Sequence, residues 1–382
     1  MKILHVTPYF YGAWAYGGIP RLSYHLAAAQ VALGHEVHAV TTDAIDRETR
    51  RPEKAYEVSG IRVRAYPNLS NRLAYDYQFF TPRKLGAERR FIEQYDMVHV
   101  HGHRNLHNHL VSFQAHANQI PFALQPNGTL VNIERRRFLK SVFDRLWGDK
   151  QVSAASALIA VAEAEKSQFI RLGVPGEKIR VFPNGVEMEV DAQGLSFKRE
   201  FGIQGDYLLY LGKLTPRKGI ERAISALALL EDQGLKLVVA GNDMGYAKQL
   251  RRLAGRLGLS ERVIFTGLVT GPLKAAAYQE ALYTIYAGRD EIFGLVPWES
   301  ILCGTPVIVS DDSGCGEWVK RGGAGHLAPD GDPAAIARVV NRRDRELDLA
   351  MVEQGRKFCR ERLDWRIIAQ GMVEYYRELR SD

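Results

Sequence analysis

Short runs rich in Val, Ile and Leu alternate with helix-length segments along almost the whole chain, and the series occurs twice. The first series is KILHVT, EVHAVTT, IRVRAY, DMVHVHG, PFALQP and SALIAVA; the second, from residue 207, is YLLYLG, LKLVVAG, RVIFTG, YTIYAG and TPVIVS. Strands apolar on both faces and separated by helices are the mark of parallel sheets covered on both sides. The pattern predicts an α/β chain of two Rossmann-like domains facing each other across a deep cleft. A length of 382 residues suits two cores rather than one.

The first helix is expected from about Pro20 to Leu33, with proline in its first turn and Gly34 as its left-handed stop. Pro183-Asn184-Gly185 has turn chemistry and little periodicity follows it, so the linker is expected at about 185–206.

With 46% hydrophobic and 25% charged residues, the composition is that of a soluble globular protein rather than a disordered one. MKILHVTPYF carries one lysine and a short apolar stretch broken at Pro8, which reads as a first strand and not as a secretory signal. No run approaches the roughly 18 apolar residues of a membrane span. The expected location is therefore the cytoplasm. Cys303, Cys315 and Cys359 are odd in number and lack CxxC spacing, which predicts free thiols. The formal net charge of +7 points to an anionic partner. Nucleic acid fits poorly, because the basic residues lack interleaved aromatics or a known module.

In sheets of this kind, ligands bind outside the carboxyl ends of the strands. YLGKLTPRKGIERAI leaves a strand at Leu211, turns through Gly212 and presents Lys213, Arg217 and Lys218 before a helix. Positive charge beside free helix N–H groups makes a phosphate site; a solvated basic turn is the plainer reading. Gly17-Gly18 likewise precedes the first helix, but the sequence is not GxGxxG and carries no dinucleotide fingerprint. His99, His101, His103, His107 and His109 crowd DMVHVHGHRNLHNHL. Without nearby Cys or HExxH, they read as a cleft-lining loop rather than a metal centre. NIERRRFLKSVFDRLWGDK, with Glu134, Arg135, Arg136, Arg137, Lys140, Arg145 and Lys150 among its charges, spaces its apolar residues as a basic amphipathic helix. It reads either as a core-facing helix with a solvated back or as a surface for anionic lipid.

RDEIFGLVPWES sets Glu291 in a strand exit and Glu299 on the following helix. The N–H groups of Phe293, Gly294 and Leu295 between them are candidates to face an anion. Carboxylates beside a phosphate site repel it, so their own partners must be hydroxyls. A ligand with a diphosphate and many hydroxyls is a sugar nucleotide.

Together EIFGLVPWE, GKLTPRKG, VFPNGV, CGTPVIVS and the Gly-Gly turn resemble the retaining GT-B glycosyltransferases of family 4, the glycosyl transferases group 1, over essentially the whole chain. The resemblance implies an N-terminal acceptor-binding domain over 1–188, a nucleotide-sugar-binding domain over 189–363, and a last helix over 364–382 that packs back on the first. Carried residue by residue, it implies that Glu291 binds donor-sugar hydroxyls and Glu299 the ribose. Lys213 and Lys218 neutralise the diphosphate, helped by main-chain N–H groups at Phe293, Gly294 and Leu295. Gly17 and Gly18 let the first loop approach the β-phosphate and the acceptor.

This sequence departs from the family where Lys213 replaces a frequent Arg, where Ile292 replaces a frequent Gly, and where LQPNGTL has Asn127 in place of a His. Asparagine hydrogen-bonds a hydroxyl but does not move a proton at neutral pH. The expected reaction is hexose transfer from a GDP- or UDP-sugar to a hydroxyl of a glycan or lipid-linked acceptor, with retention and without a metal or other cofactor. It would serve polysaccharide, lipopolysaccharide or glycan assembly, peripherally at the inner face of the cytoplasmic membrane. An epimerase on the same fold and a catalytically silent sugar-nucleotide-binding subunit are the rival readings.

Overall fold

The computed structural model describes residues 1–77, 80–82, 89–131, 137–187 and 189–381. It divides into two compact units, one of Met1–Gly185 with Asp364–Asp382 and one of Val186–Leu363.

Among the described residues the first unit holds eight strands: β1 Lys2–Val6, β2 Glu36–Thr42, β3 Ala55–Val58, β4 Ile61–Tyr66, β5 Met97–His101, β6 Phe122–Gln125, β7 Ala157–Ala160 and β8 Ile179–Val181. They lie in the order β3-β4-β2-β1-β5-β6-β7-β8. Every pairing is parallel except the β3–β4 hairpin. Successive side chains of a strand face opposite ways. Leu4, Val6, Val98 and Val100 therefore join Val111 and Phe169 in one core, while Ile3, Met97 and Ile159 join another. The second core is completed by Leu26 and by Ile368, Met372, Val373 and Tyr376 of the final helix, Trp365–Ser381. The last helix thus belongs to the first unit.

The second unit is a six-stranded parallel sheet of order β11-β10-β9-β12-β13-β14. Its strands are β9 Tyr207–Leu211, β10 Lys236–Ala240, β11 Val263–Gly267, β12 Tyr283–Tyr286, β13 Val307–Ser310 and β14 His326–Ala328. Two parallel-sheet Rossmann-like units are the arrangement that the doubled strand series predicts.

Several expectations need correction. The first helix spans Gly18–Ala32, so it starts two residues before Pro20, with Gly17 as its N-cap. The segment expected as linker already belongs to the second unit from Val186 and contains a helix, Phe197–Glu200, whose Phe197 is fully buried. Strands β3, β8 and β14 have three or four residues each, too short to show a period in sequence.

Candidate active site

Strands β9 and β12 are parallel neighbours, so their carboxyl ends open on the same edge of the second sheet. The exit of β9 runs through Lys213 to a single 3-10 turn, Pro216–Lys218, before the helix Ile220–Leu227. Gly219 joins them at φ +67, and a Cβ there would lie 2.0 Å from the carbonyl oxygen of Ala287 in the other exit loop. The two loops are also joined where Arg289 N–H donates to Arg217 O at 2.9 Å. Only glycine fits so close a backbone crossing.

This crossing brings Lys218 against Glu291. Lys218 Nζ lies 2.7 Å from Glu291 Oε1 and donates to the Tyr286 hydroxyl at 3.1 Å. That hydroxyl donates to Glu291 Oε2 at 2.8 Å. Burial alone would raise the Glu291 carboxyl, but Lys218 and Arg217, with the Lys218 and Tyr286 hydrogen bonds, hold it below the usual value. Burial, and then the charge of Lys218, pull the Lys213 ammonium below its ordinary value. No carboxylate among the described residues forms an ion pair with Lys213. A desolvated cation of this kind is completed by an anion.

Gly294, at φ +70, opens the helix Leu295–Cys303, which has no side-chain cap. A Cβ at Gly294 would meet Cys315 Sγ and Tyr286 Cε1 at 2.9 Å each. The first N–H groups of this helix have no intrahelical acceptor and carry the positive end of its dipole. Phe293 offers the site its main chain, because its ring is buried against Trp298 and Trp318. Glu299 lies on the same helix, with both Lys274 Nζ at 2.7 Å and the Tyr278 hydroxyl at 2.8 Å on its Oε2.

Thus Lys218 and Glu291 are brought together, with Lys213 beside them, while Glu299 forms its own cluster one and a half turns along the helix. Reading the sequence missed Tyr286, Lys274 and Tyr278. The first closes the β12 strand immediately before the loop; the other two sit four apart on the helix Pro272–Gln279, hence on one face.

In the first unit, an added Cβ at Gly18 meets nothing within 4 Å. No packing within the described structure demands glycine there. Asn127 follows β6 at φ +52; its Nδ2 donates to Gln125 O at 3.3 Å, and its Oδ1 is buried without a partner among the described residues.

Two sequence readings are overturned. The histidines do not form a cleft-lining loop: His99 and His101 lie within β5 and are buried, as are His103 and His107. His5, His99 and His101 bring ring nitrogens within 4.8 Å of one another. Their geometry still does not suit a metal. His5 Nδ1 and His101 Nε2 are hydrogen-bonded at 2.8 Å, while the His99 and His101 rings stack at 4.1 Å and 12°. Stacked imidazoles hold their in-plane lone pairs in parallel planes that do not converge on one ion, and zinc needs its nitrogens about 2 Å away in tetrahedral directions.

The basic segment is not core-facing. Residues 134–136 lie outside the described residues; from there the chain forms the helix Arg137–Phe143, a π-helical turn Asp144–Gly148 and the helix Asp149–Ala154. Phe138 is 79% exposed, and Leu139, Val142, Leu146 and Trp147 are also exposed. The turn is anchored instead by Asp144, which accepts from Arg104 Nε and Nη2 at 2.8 Å each.

Known proteins resemble this chain along both units. Residues 195–358 match the model of the glycosyl transferases group 1, and residues 16–190 that of Glycosyltransferase Family 4. The chain is 28% identical to an uncharacterized glycosyltransferase, MJ1607, of Methanocaldococcus jannaschii, over 99% of this chain and 98% of that one. It is 29% identical to the phosphatidyl-myo-inositol mannosyltransferase of Mycobacterium leprae, over 98% and 96%. The fold superposes on that of HepE from Anabaena, solved with UDP and glucose, with a TM-score of 0.73 at 19% identity over 99% and 100% of the two chains. Because each half of the sequence matches one part of the same enzyme family and the fold follows it from end to end, the chain belongs to the glycosyl transferases group 1, family 4-like glycosyltransferases of GT-B fold.

Proposed function

We propose that this glycosyltransferase moves a hexose from a UDP- or GDP-linked donor to a hydroxyl of a glycan or lipid-linked acceptor, with retention at the anomeric carbon. The observation that carries this reading is the Lys218–Glu291–Tyr286 cluster, with Lys213 beside it and the uncapped helix start at Gly294 on the same sheet edge. Two ammonium groups and a helix N-terminus suit a diphosphate. A carboxylate offers about four lone-pair sites, so Glu291 keeps acceptor capacity for sugar hydroxyls beyond Lys218 and Tyr286. Glu299, with Lys274 and Tyr278 both on Oε2, has Oε1 for the ribose.

In the reaction, the acceptor oxygen bonds to the anomeric carbon as the bond from that carbon to the phosphate oxygen breaks. The leaving phosphate oxygen takes the acceptor's proton on the same face. Lys213, Lys218 and the N–H groups at Phe293, Gly294 and Leu295 stabilise the departing charge. Neither glutamate serves as a base, and Asn127 holds a hydroxyl without moving its proton. Gly17 and Gly18 give a main chain that phosphate and acceptor approach closely. With this charge supplied by the protein, transfer is expected to persist in EDTA.

The acceptor side is read from the exposed apolar strip of Phe138, Leu139, Val142, Leu146 and Trp147, flanked by exposed Arg145 and Lys150. An apolar face beside cations suits an anionic membrane surface. Among the described residues no helix is long and apolar enough to cross a membrane. The phosphatidyl-myo-inositol mannosyltransferase among its relatives bears a name that supports a lipid acceptor.

Thermal-shift screening of UDP- and GDP-sugars, followed by product analysis with and without acceptor, tests the reading. A stabilising donor and acceptor-dependent glycoside formation are expected. Conversion of free donor without acceptor would replace transfer by epimerisation, and donor binding without turnover would leave a silent binding subunit.

A further inference from the structure

The turn that carries Asn127 is backed by a carboxylate with no part in the reaction above. Asn127 and Gly128 both adopt left-handed backbone, at φ +52 and +79. For a non-glycine residue this costs on the order of 1 kcal/mol and persists only where the surroundings impose it. Thr129 Oγ1 donates to Pro126 O at 2.6 Å and accepts from His103 N–H at 2.8 Å, which pins the far side. On the near side Gly128 N–H donates to Glu165 Oε1 at 2.7 Å, and the other oxygen, Oε2, accepts from Val161 N–H at 2.8 Å at the exit of β7. Glu165 is fully buried, and its carboxylate bridges two strand exits.

A buried carboxylate is costly, and an amide oxygen left buried without a donor costs about 1–3 kcal/mol. Among the described residues Asn127 Oδ1 is such an oxygen. Both costs find one explanation if the turn presents Oδ1 to a donor that arrives with the substrate. Resting on the function proposed above, we infer that Glu165 is a positioning residue that holds the Asn127–Gly128 turn so that Asn127 Oδ1 receives a hydroxyl of the acceptor.

The ionised carboxylate accepts from both N–H groups. Once protonated, it sets an O–H against one of them and loses that bond. Burial raises the Glu165 carboxyl to about 7, against the two N–H bonds that lower it. The β7 strand and the Pro126–Thr129 turn bring no titratable side chain to it; Arg180 of β8 is exposed and turned to the last helix, where it pairs with Glu378 and lies over the Tyr375 ring, and the Glu165 helix itself carries Glu163 and Lys166. The turn should therefore tighten as pH rises through about 7.

Two measurements test this. The first needs no substrate: in the wild-type chain the Gly128 and Val161 amide resonances should titrate together with a midpoint near pH 7, and amides that stay fixed between about pH 5.5 and 8.5 overturn the clamp. The second is kinetic, on Glu165→Gln, Asn127→Ala and the double variant. Glu165→Gln should lower transfer by about 100-fold, the cost typical of a misplaced substrate contact, and remove the acidic limb of the pH profile. It should leave the affinity for the free nucleoside diphosphate unchanged, and the double variant should be no slower than Asn127→Ala. Titrating amides with a Glu165→Gln enzyme that keeps wild-type rates and pH profile overturn the positioning role alone. A wild-type chain that transfers no sugar overturns the function and this inference together, while the amide titration still reports the clamp.

Discussion

Lys218 Nζ and Glu291 Oε1 lie 2.7 Å apart although they come from different strand exits, and the Tyr286 hydroxyl bonds to both side chains. The pair exists because Gly219 lets the β9 exit cross the β12 exit at backbone contact. A ligand entering here meets a carboxylate already oriented and a cation already placed.

Removing Lys218 leaves Glu291 buried without its cation, and removing Glu291 leaves the half-buried Lys218 without its carboxylate. Glu291→Ala is expected to destabilise the second unit by about 3 kcal/mol, the typical cost of breaking a buried pair, and to abolish measurable transfer. Glu291→Gln keeps the shape and should restore most of the melting temperature without restoring the rate. Comparing melting curves with initial rates separates the two effects; wild-type transfer by Glu291→Ala would remove this residue from the site.

Glu291 and Glu165 should give stability opposite dependence on pH. The Glu291 carboxyl is held below its ordinary 4.5, so its contribution is present above that value and is lost as pH falls through its folded value. Glu165 is raised from 4.5 to about 7, so the folded state holds the extra proton between those values and stability declines as pH rises across that window. Melting temperatures of Glu291→Gln and Glu165→Gln relative to wild type should therefore shift in opposite directions, the first as pH falls below 4.5 and the second as pH rises from 4.5 to about 7.

Gly18→Ala is expected to leave the melting temperature unchanged or slightly raised, since an added Cβ meets nothing within 4 Å and alanine favours helix over glycine. Its transfer rate should fall by about tenfold or more if the glycine admits a substrate. An unchanged rate would show that the space at Gly18 is not used.

Flotation with vesicles checks the exposed strip. The wild-type chain should co-float with anionic vesicles and less with neutral ones, and Leu139→Glu with Trp147→Glu should abolish the association while leaving the circular dichroism spectrum intact. Equal flotation of variant and wild type would assign these residues no membrane role. Salt should weaken the wild-type association, because its charged part is screened over about 8–10 Å.

Much of the scaffold was legible because strand periodicity is a local signal. KILHV, YLLYL and YTIY announce themselves as buried strands. The strand exit and the helix pattern after it likewise placed Glu291 on a loop and Glu299 on a helix. The partners of these residues were not legible. Tyr286 looks like one more strand aromatic until the β9 exit is laid across it, and Lys274 meets Glu299 through a contact between two helices. The basic helix misled for the same reason: its spacing is amphipathic, and spacing does not say whether the apolar side meets a core.

The placement of the final helix has a consequence for how the chain is made. Residues 365–381 close the core over Ile3, Met97 and Ile159, and the Tyr376 hydroxyl bonds to His99 in the middle of the first sheet. A ribosome delivers that helix only after all of Val186–Leu363 has been synthesised. Domains ordinarily complete in the order in which they emerge. Here the first unit must wait until the second has been synthesised, with an apolar sheet face and a row of histidines uncovered in the meantime.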